Sequence, residues 1–374
     1  MALPSNLFPQ KFPEVGSGDE VIADTFDSLI SEHSAPLGDS LAFAHMDPPT
    51  SVAAARVVAR NAQTNQNLLH PDLSPLASVA EAKVIDWLKP YFGMQDGLMC
   101  GGSTLANLTA LWCARENGAT RVVASENAHL SIMKSAHLLG LPFQSVPVDE
   151  AGRALEIDSI VNSLDCVVLT AGTTACGAID GLHCCNSRWL HVDAAWAGPL
   201  RLTAYSRRLD GIELADSVAV SAHKWLYQPK DSALIFFKSP EARQAISFGG
   251  SYLATPNVGI QGSRSAAGLA LLATLMAEGR AGLASNIEKG MQDAEAFAHY
   301  ILSHSELELK AHPETGVVVW RPKTKDVEPV AKALGLTSST VSVNGAPWLR
   351  QVAANPHMDI EAIIDKVERV TQQT

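Results

Sequence analysis

Lys224 and Asp193 are the two residues whose surroundings ask for chemistry. Lys224 lies in Ser221-Ala222-His223-Lys224-Trp225, directly after the run Asp216-Ser217-Val218-Ala219-Val220. Asp193 follows Trp189-Leu190-His191-Val192 and precedes Ala194 and Ala195. A lysine at the end of a buried strand is driven toward its neutral amine, which is the nucleophilic form. A carboxylate in a similar place needs a cationic partner. One cofactor, pyridoxal 5'-phosphate, uses both groups: its aldehyde joins a lysine and its ring nitrogen pairs with an acid. Read alone, Lys224 also suits a surface amine on an apolar stem, and Asp193 a structural ion pair or a helix cap.

Three further features would serve the same cofactor. Gly101-Gly102-Ser103-Thr104 follows a strand candidate and opens a helix from Leu105 to Glu116. Backbone donors, hydroxyls and the helix dipole together make an anion site there, although a simple N-cap accounts for Ser103 or Thr104 equally well. The stretch is neither a Walker sequence nor a dinucleotide-binding glycine turn. Ala171-Gly172-Thr173-Thr174 closes another apolar strand, where hydroxyls face a ligand crevice or merely shape a turn. His129, in Glu126-Asn127-Ala128-His129, is either a satisfied structural imidazole or a group that stacks on a ring and moves protons. All of these features point to the C-terminal edge of one sheet.

The elements that must position them are legible as short apolar runs: Gly97-Cys100, Arg121-Ala124, Phe143-Val148, Cys166-Ala171, Trp189-Val192, Ser217-Ser221 and Ala233-Phe237. Most show little polar alternation, which suits strands covered on both faces. Strand–helix alternation predicts an α/β fold with a mostly parallel seven-stranded sheet and helices on both sides. The connection from Ser221 to Ala233 is short for a crossover helix, so the last strand is expected to be antiparallel. Residues 1–50 read as an N-terminal arm with one helix near 17–32, and 51–262 as the large domain. Residues 263–374 read as a linking helix, 264–303, followed by a small α+β domain.

Composition narrows the function classes. The chain has 374 residues, 47% hydrophobic and 18% charged, enough for a large core. A net charge of −11 without a clustered basic stripe argues against nucleic acid. No uninterrupted apolar run reaches the roughly 18 residues of a membrane span, and the first residues lack a signal-peptide core. The expectation is a cytoplasmic protein with no membrane partner. The six cysteines read as reduced, mostly buried thiols, and His183-Cys184-Cys185 lacks the second pair that a metal site needs.

The ordered motifs carry a resemblance. His45-Met46-Asp47-Pro48-Pro49, Gly101 through Leu108, Ser125 through His129, Ala171-Gly172-Thr173-Thr174, His191-Val192-Asp193-Ala194-Ala195 and His223-Lys224-Trp225-Leu226 resemble the group II pyridoxal-phosphate decarboxylases. Val343-Asn344-Gly345 through Arg350 and Asn355-Pro356 match as well, so the likeness runs from about Phe43 to Val370. It implies a fold-type-I pyridoxal-phosphate transferase-like architecture and a homodimer with its site at the subunit interface. It implies attachment of the cofactor at Lys224, pairing of its ring nitrogen with Asp193 and stacking of His129 on the ring. Gly102, Ser103, Thr104 and Ser221 would serve the phosphate. Thr174 would lie near the ring hydroxyl and substrate carboxylate, Ala195 would pack on the other ring face, and His223 would assist proton transfer.

The implied reaction is α-decarboxylation of an L-amino acid to an amine. Carbon–carbon cleavage or decarboxylation-dependent deamination on the same scaffold are the alternatives, together with a non-catalytic homologue. Asn67 and His70, with Asn65 and Gln66 beside them, are candidates for the substrate end of the pocket. Arg264 would bind an acidic side chain or tie down its own loop. Gly249-Gly250-Ser251-Tyr252-Leu253 reaches Gly262-Ser263-Arg264-Ser265 after few residues, where most relatives carry a longer loop with a proton-donating tyrosine. Tyr252 is the only tyrosine nearby and joins Asn67, His70 and Arg264 as a substrate-side candidate, with the proton donor left open. The compact stretch is similar to archaeal tyrosine/aspartate decarboxylases and sphingosine-phosphate lyase.

Overall fold

The computed structural model describes residues 7–184, 186–251, 253 and 256–373. The chain begins with α1 (Asp19–His33), α2 (Val52–Thr64) and α3 (Pro75–Leu88). Ser51 caps α2 by accepting the Ala54 amide hydrogen at 3.2 Å, and Pro75 starts α3 where no amide donor is required. Strand and helix then alternate through β1 (Asp96–Cys100), α4 (Ser103–Glu116), β2 (Arg121–Ser125), α5 (Leu130–Leu138), β3 (Phe143–Val146), α6 (Ile157–Ile160) and β4 (Asp165–Thr170). β5 (Trp189–Asp193), β6 (Ser217–Ser221) and β7 (Ala233–Phe237) complete the large layer.

These strands form a seven-stranded sheet in the order β1-β7-β6-β5-β4-β2-β3. β7 pairs antiparallel with both β1 and β6, and the remaining pairs are parallel. The apolar runs arise because both faces are covered. Val167 and Leu169 enter one core cluster, while Cys166 and Val168 enter the other. Leu234 and Phe236 divide from Ala233, Ile235 and Phe237 in the same way. One difference from the sequence expectation is at β3, which stops at Val146; Pro147 cannot donate to a ladder, and Val148 instead makes an isolated bridge to Ala154.

A short hairpin, β8 (Ser247–Phe248) and β9 (Asn257–Val258), leads to α7 (Ala267–Ser303), which kinks at Gly279. α7 is long and apolar enough to cross a bilayer by length and composition, yet its buried face, from Leu271 to Ile301, packs on α2, α3 and the second sheet. That sheet joins β10 (Leu307–Leu309), β11 (Val317–Pro322), β12 (Ser339–Val343) and β13 (Ala346–Val352) in the order β10-β11-β13-β12, with α8 (Val327–Leu334) and α9 (Ile360–Gln373) against it. Phe43 stitches the N-terminal segment into this layer. Its ring is fully buried, edge-on to Phe297 at 5.5 Å, and its carbonyl accepts the Val352 amide hydrogen at 2.6 Å.

Phe43→Ala should therefore lower the unfolding free energy by about 3–5 kcal/mol, read as a fall in the urea midpoint at unchanged slope. A change below about 1 kcal/mol would show that the layer closes without this ring.

Candidate active site

The parallel strands deliver their C-terminal ends to one edge, and Asp193 and Lys224 meet there. β5 and β6 are neighbours, with Asp193 beside Ala219 in register. The Asp193 carboxylate is 3% exposed. Its Oδ2 accepts a hydrogen bond from Asn107 Nδ2 at 2.9 Å and its Oδ1 accepts the Ala195 amide hydrogen at 3.1 Å. Lys224 sits three residues past β6, in a loop closed by the Tyr227 amide donating to the Lys224 carbonyl at 3.0 Å. Burial pushes its amine below the ordinary lysine value, and the fields of Asp193 and Asp47 oppose that shift. No side-chain hydrogen bond to a described residue contributes, so the amine is left to an outside partner.

His129 caps α5: its Nδ1 accepts the Ser131 amide hydrogen at 3.2 Å and lies 2.8 Å from the Ser131 hydroxyl. Burial lowers its basicity, Asp193 raises it and Lys224 lowers it again, which places all three within one field. His223 is half-buried, with Nδ1 3.2 Å from the Ser232 carbonyl. Burial and the charges of Lys230 and Lys224 lower its basicity.

The anion end is at α4. Gly102 precedes its first turn with φ +100°, no side chain caps the helix, and a Cβ built on Gly102 would meet no atom within 4 Å. Ser103 Oγ lies 2.7 Å from Ser221 Oγ, joining the two expected phosphate-side hydroxyls across α4 and β6. Thr104 is exposed on the same first turn. An open helix N-terminus with hydroxyls, an amine without a partner and a buried carboxylate are the donor set that pyridoxal phosphate requires, so the residues fit the group. Ala195 is buried, and its carbonyl accepts the Ser221 amide hydrogen at 3.3 Å. Thr174 is exposed, and its carbonyl accepts from Arg350 at 2.7 Å. Thr173 is buried, and its hydroxyl accepts the Ala178 amide hydrogen at 3.1 Å, which is turn chemistry.

The proposed substrate residues fare differently. Both arms of Arg264 go to Glu81, at 2.5 and 2.8 Å, and Glu81 also receives the Met99 amide hydrogen. Of the two roles expected for Arg264, the structure shows the second: its fork ties the 263–265 segment to α3. Asn67 belongs to the same latch, donating to Ser263 Oγ at 3.0 Å and accepting the amides of Leu69 and Arg264. With them lies a cleft of about 350 Å³, lined by Leu68, Glu81, Asp96, Arg243 and Arg264 and by none of the cofactor-facing residues. His70 is half-buried, and its amide donates to the Asn67 carbonyl at 3.4 Å. Tyr252, like Cys185, falls outside the described residues.

Four residues without an assigned role from the sequence join the site. Asp47 pairs with Lys230 and contributes to the fields at His223, Lys224 and Arg350. Burial lowers the basicity of Arg350, whose Nε donates to Ser339 Oγ at 3.3 Å. Asn107 lies one helical turn after Ser103, on the same face of α4, a spacing that marks it. His191 shares one strand face with Asp193, a period-two signal. It is fully buried, with Nε2 3.1 Å from Asn107 Oδ1 and Nδ1 2.8 Å from Ser217 Oγ.

Comparisons with known proteins bear on the family and the fold. The pyridoxal-dependent decarboxylase conserved domain matches residues 6–323. An L-2,4-diaminobutyrate decarboxylase from Acinetobacter baumannii is 31% identical over 338 residues, 74% of this chain and 66% of the relative. Its namesake from Rhizobium meliloti (strain 1021) is 31% identical over 349 residues, 83% of this chain and 70% of the relative. The chain thus spans about two thirds of the length of these relatives. The glutamate decarboxylase domain of a diaminobutyrate-pyruvate transaminase and L-2,4-diaminobutyrate decarboxylase from Vibrio parahaemolyticus superposes with a TM-score of 0.83. It is 22% identical, with 97% of this chain and 88% of that one covered.

Burial pushes the His191 pKa down from the ordinary histidine value of 6.5 to about 4. A basic group depressed in the folded state binds its proton first in the unfolded chain, so its contribution to stability is present above pH 6.5 and is lost as pH falls toward 4. The loss is on the order of 3 kcal/mol. His191→Gln should flatten the stability–pH slope between pH 6.5 and 4 by about one proton in urea unfolding series. An unchanged slope would remove His191 from the acid response.

Proposed function

Because the chain belongs to the pyridoxal-dependent decarboxylase family, we propose that it releases the α-carboxylate of an L-amino acid as carbon dioxide and yields the amine, with pyridoxal phosphate held at Lys224. The observation that carries this reading is the meeting of a half-buried amine, free of hydrogen bonds to the described residues, with a buried carboxylate at the ends of neighbouring strands. When bound, the cofactor supplies a sink for the electron pair left on the α-carbon. Asp193 places its charge where the ring nitrogen must keep a proton. His129 offers a flat face beside it. The first turn of α4, with Ser103, Thr104 and Ser221, holds the phosphate and fixes the orientation. Arg350, at the Thr174 turn, offers a guanidinium for a substrate carboxylate.

The closest reading of substrate class comes from the names of the relatives, so L-2,4-diaminobutyrate belongs in the test beside the standard amino acids. We also place the site in a homodimer. Leu130 and Met133, adjoining His129 on α5, are 51% and 48% exposed, apolar surface that a second copy would cover.

Incubation of the purified chain with pyridoxal phosphate and each amino acid should release carbon dioxide and the matching amine from one class of substrate. Lys224→Ala should abolish turnover and the borohydride-sensitive visible absorption. Asp193→Asn should retain cofactor but lose on the order of 10²–10³ in kcat. Aldehyde with ammonia as products would move the assignment to decarboxylation-dependent deamination. Wild-type turnover in Lys224→Ala would end the reading. Sedimentation should give twice the chain mass, and a strict monomer that remains fully active would remove the dimer.

A further inference from the structure

A buried chain of hydrogen bonds runs behind the two cofactor-facing groups, and every proton in it can be assigned. Trp189 Nε1–H is a donor only, so Ser217 Oγ accepts from it at 2.9 Å. The single hydrogen of Ser217 is then free for His191 Nδ1 at 2.8 Å, closer than the Ser217 carbonyl oxygen, which lies 3.2 Å from the same nitrogen. On the far side of that ring, Nε2 lies 3.1 Å from Asn107 Oδ1, an amide oxygen that can only accept. His191 therefore carries its hydrogen on Nε2.

The Asn107 amide cannot be turned round, because that would set Oδ1 against the Asp193 carboxylate. Its two Nδ2 hydrogens have two acceptors, Asp193 Oδ2 at 2.9 Å and Ser131 Oγ at 2.9 Å. Ser131 accepts there, so its own hydrogen goes to His129 Nδ1 at 2.8 Å, where the Ser131 amide also points. Two donors on Nδ1 leave the His129 hydrogen on Nε2. The donors run one way, Trp189 to Ser217 to His191 to Asn107, and the chain forks at one carboxamide.

We propose that Asn107 is a positioning residue whose single carboxamide serves both cofactor-facing groups, holding Asp193 as an acceptor and, by donating to Ser131 Oγ, turning the Ser131 hydrogen onto His129 Nδ1, where it reinforces the tautomer that the Ser131 amide selects. Burial supports this by lowering the basicity of both histidines, which disfavours a second proton on either ring. Strand and helix geometry supply the register: Trp189, His191 and Asp193 share one face of β5, His191 pairs with Ser217 across β5 and β6, and Asn107 reaches them from α4. The decarboxylase reading enters only in saying that Asp193 and His129 face the cofactor.

Neutron diffraction or 15N-histidine spectra of the full chain, with and without pyridoxal phosphate, read the tautomers directly. The expected result is deuterium on Nε2 and none on Nδ1 of His129 and His191; deuterium on His129 Nδ1 overturns the proposal. Ser131→Ala keeps the backbone donor, so it should retain the His129 tautomer but move its Nδ1 15N signal toward that of a less hydrogen-bonded nitrogen while leaving the His191 signal in place, and an unmoved His129 Nδ1 signal overturns the link through the Ser131 hydroxyl. Asn107→Leu should disturb both branches, moving the His129 Nδ1 and His191 Nε2 15N signals and lowering kcat by on the order of 10- to 100-fold with little change in KM. A purely structural Asn107 would leave the His129 signal in place and lower only the yield of folded protein, which overturns the proposal. The tautomers are read without turnover, so they stand or fall apart from the assignment tested by Lys224→Ala.

Discussion

A carboxylate withdrawn from water at the end of β5 governs how the rest of this molecule is arranged. Desolvating an ion costs several kcal/mol even after relaxation, and the cost is tolerable only where its lone pairs are met. Asp193 is met by an amide side chain from α4, by the backbone of Ala195 and by the field of Lys224 from the next strand. Each of these comes from a different element, so sheet order, the start of α4 and the loop after β6 are all tied to one charge.

The second sheet takes part through two tryptophans. Trp196 and Trp225 directly follow Ala195 and Lys224, and their rings stack with centroids 4.1 Å apart. Trp196 Nε1 donates to the Thr315 carbonyl at 2.7 Å, and Trp225 Nε1 donates to the Ala353 carbonyl at 3.1 Å. Thr315 Oγ1 in turn donates to the Gly177 carbonyl at 2.6 Å. At Gly177 the backbone has φ +69°, and a Cβ would come within 2.5 Å of Thr315 Oγ1, so glycine is required for this contact. The Thr174 turn, the end of β5 and the Lys224 loop are thereby anchored on one seam, 313–317 with Ala353. Small-layer packing such as that of Phe43 and Phe297 thus supports the active edge without touching it.

The candidate substrate residues show a different physics. Arg264 could offer its guanidinium either to a ligand or to its own chain, and spacing alone could not decide. A bidentate carboxylate from α3 satisfies both arms of the fork, and Asn67 closes the same latch. Polar residues in this loop serve first to hold it.

Residue order alone determined the strands, because runs such as Cys166-Val167-Val168-Leu169 have no polar face and must be covered on both sides. It also marked Lys224, Asp193 and the glycine–hydroxyl turn at 101–104, whose chemistry is local to a strand end or helix start. The short 222–232 connection made β7 antiparallel for a steric reason visible in the spacing. Only the tertiary structure decided what satisfies Asp193 and which protons the histidines carry. Those depend on a helix face, two strand faces and a helix cap meeting at Asn107, across separations of 24 residues to Ser131 and 86 to Asp193. Local periodicity places a side chain on a face; long-range closure alone chooses the atom opposite it.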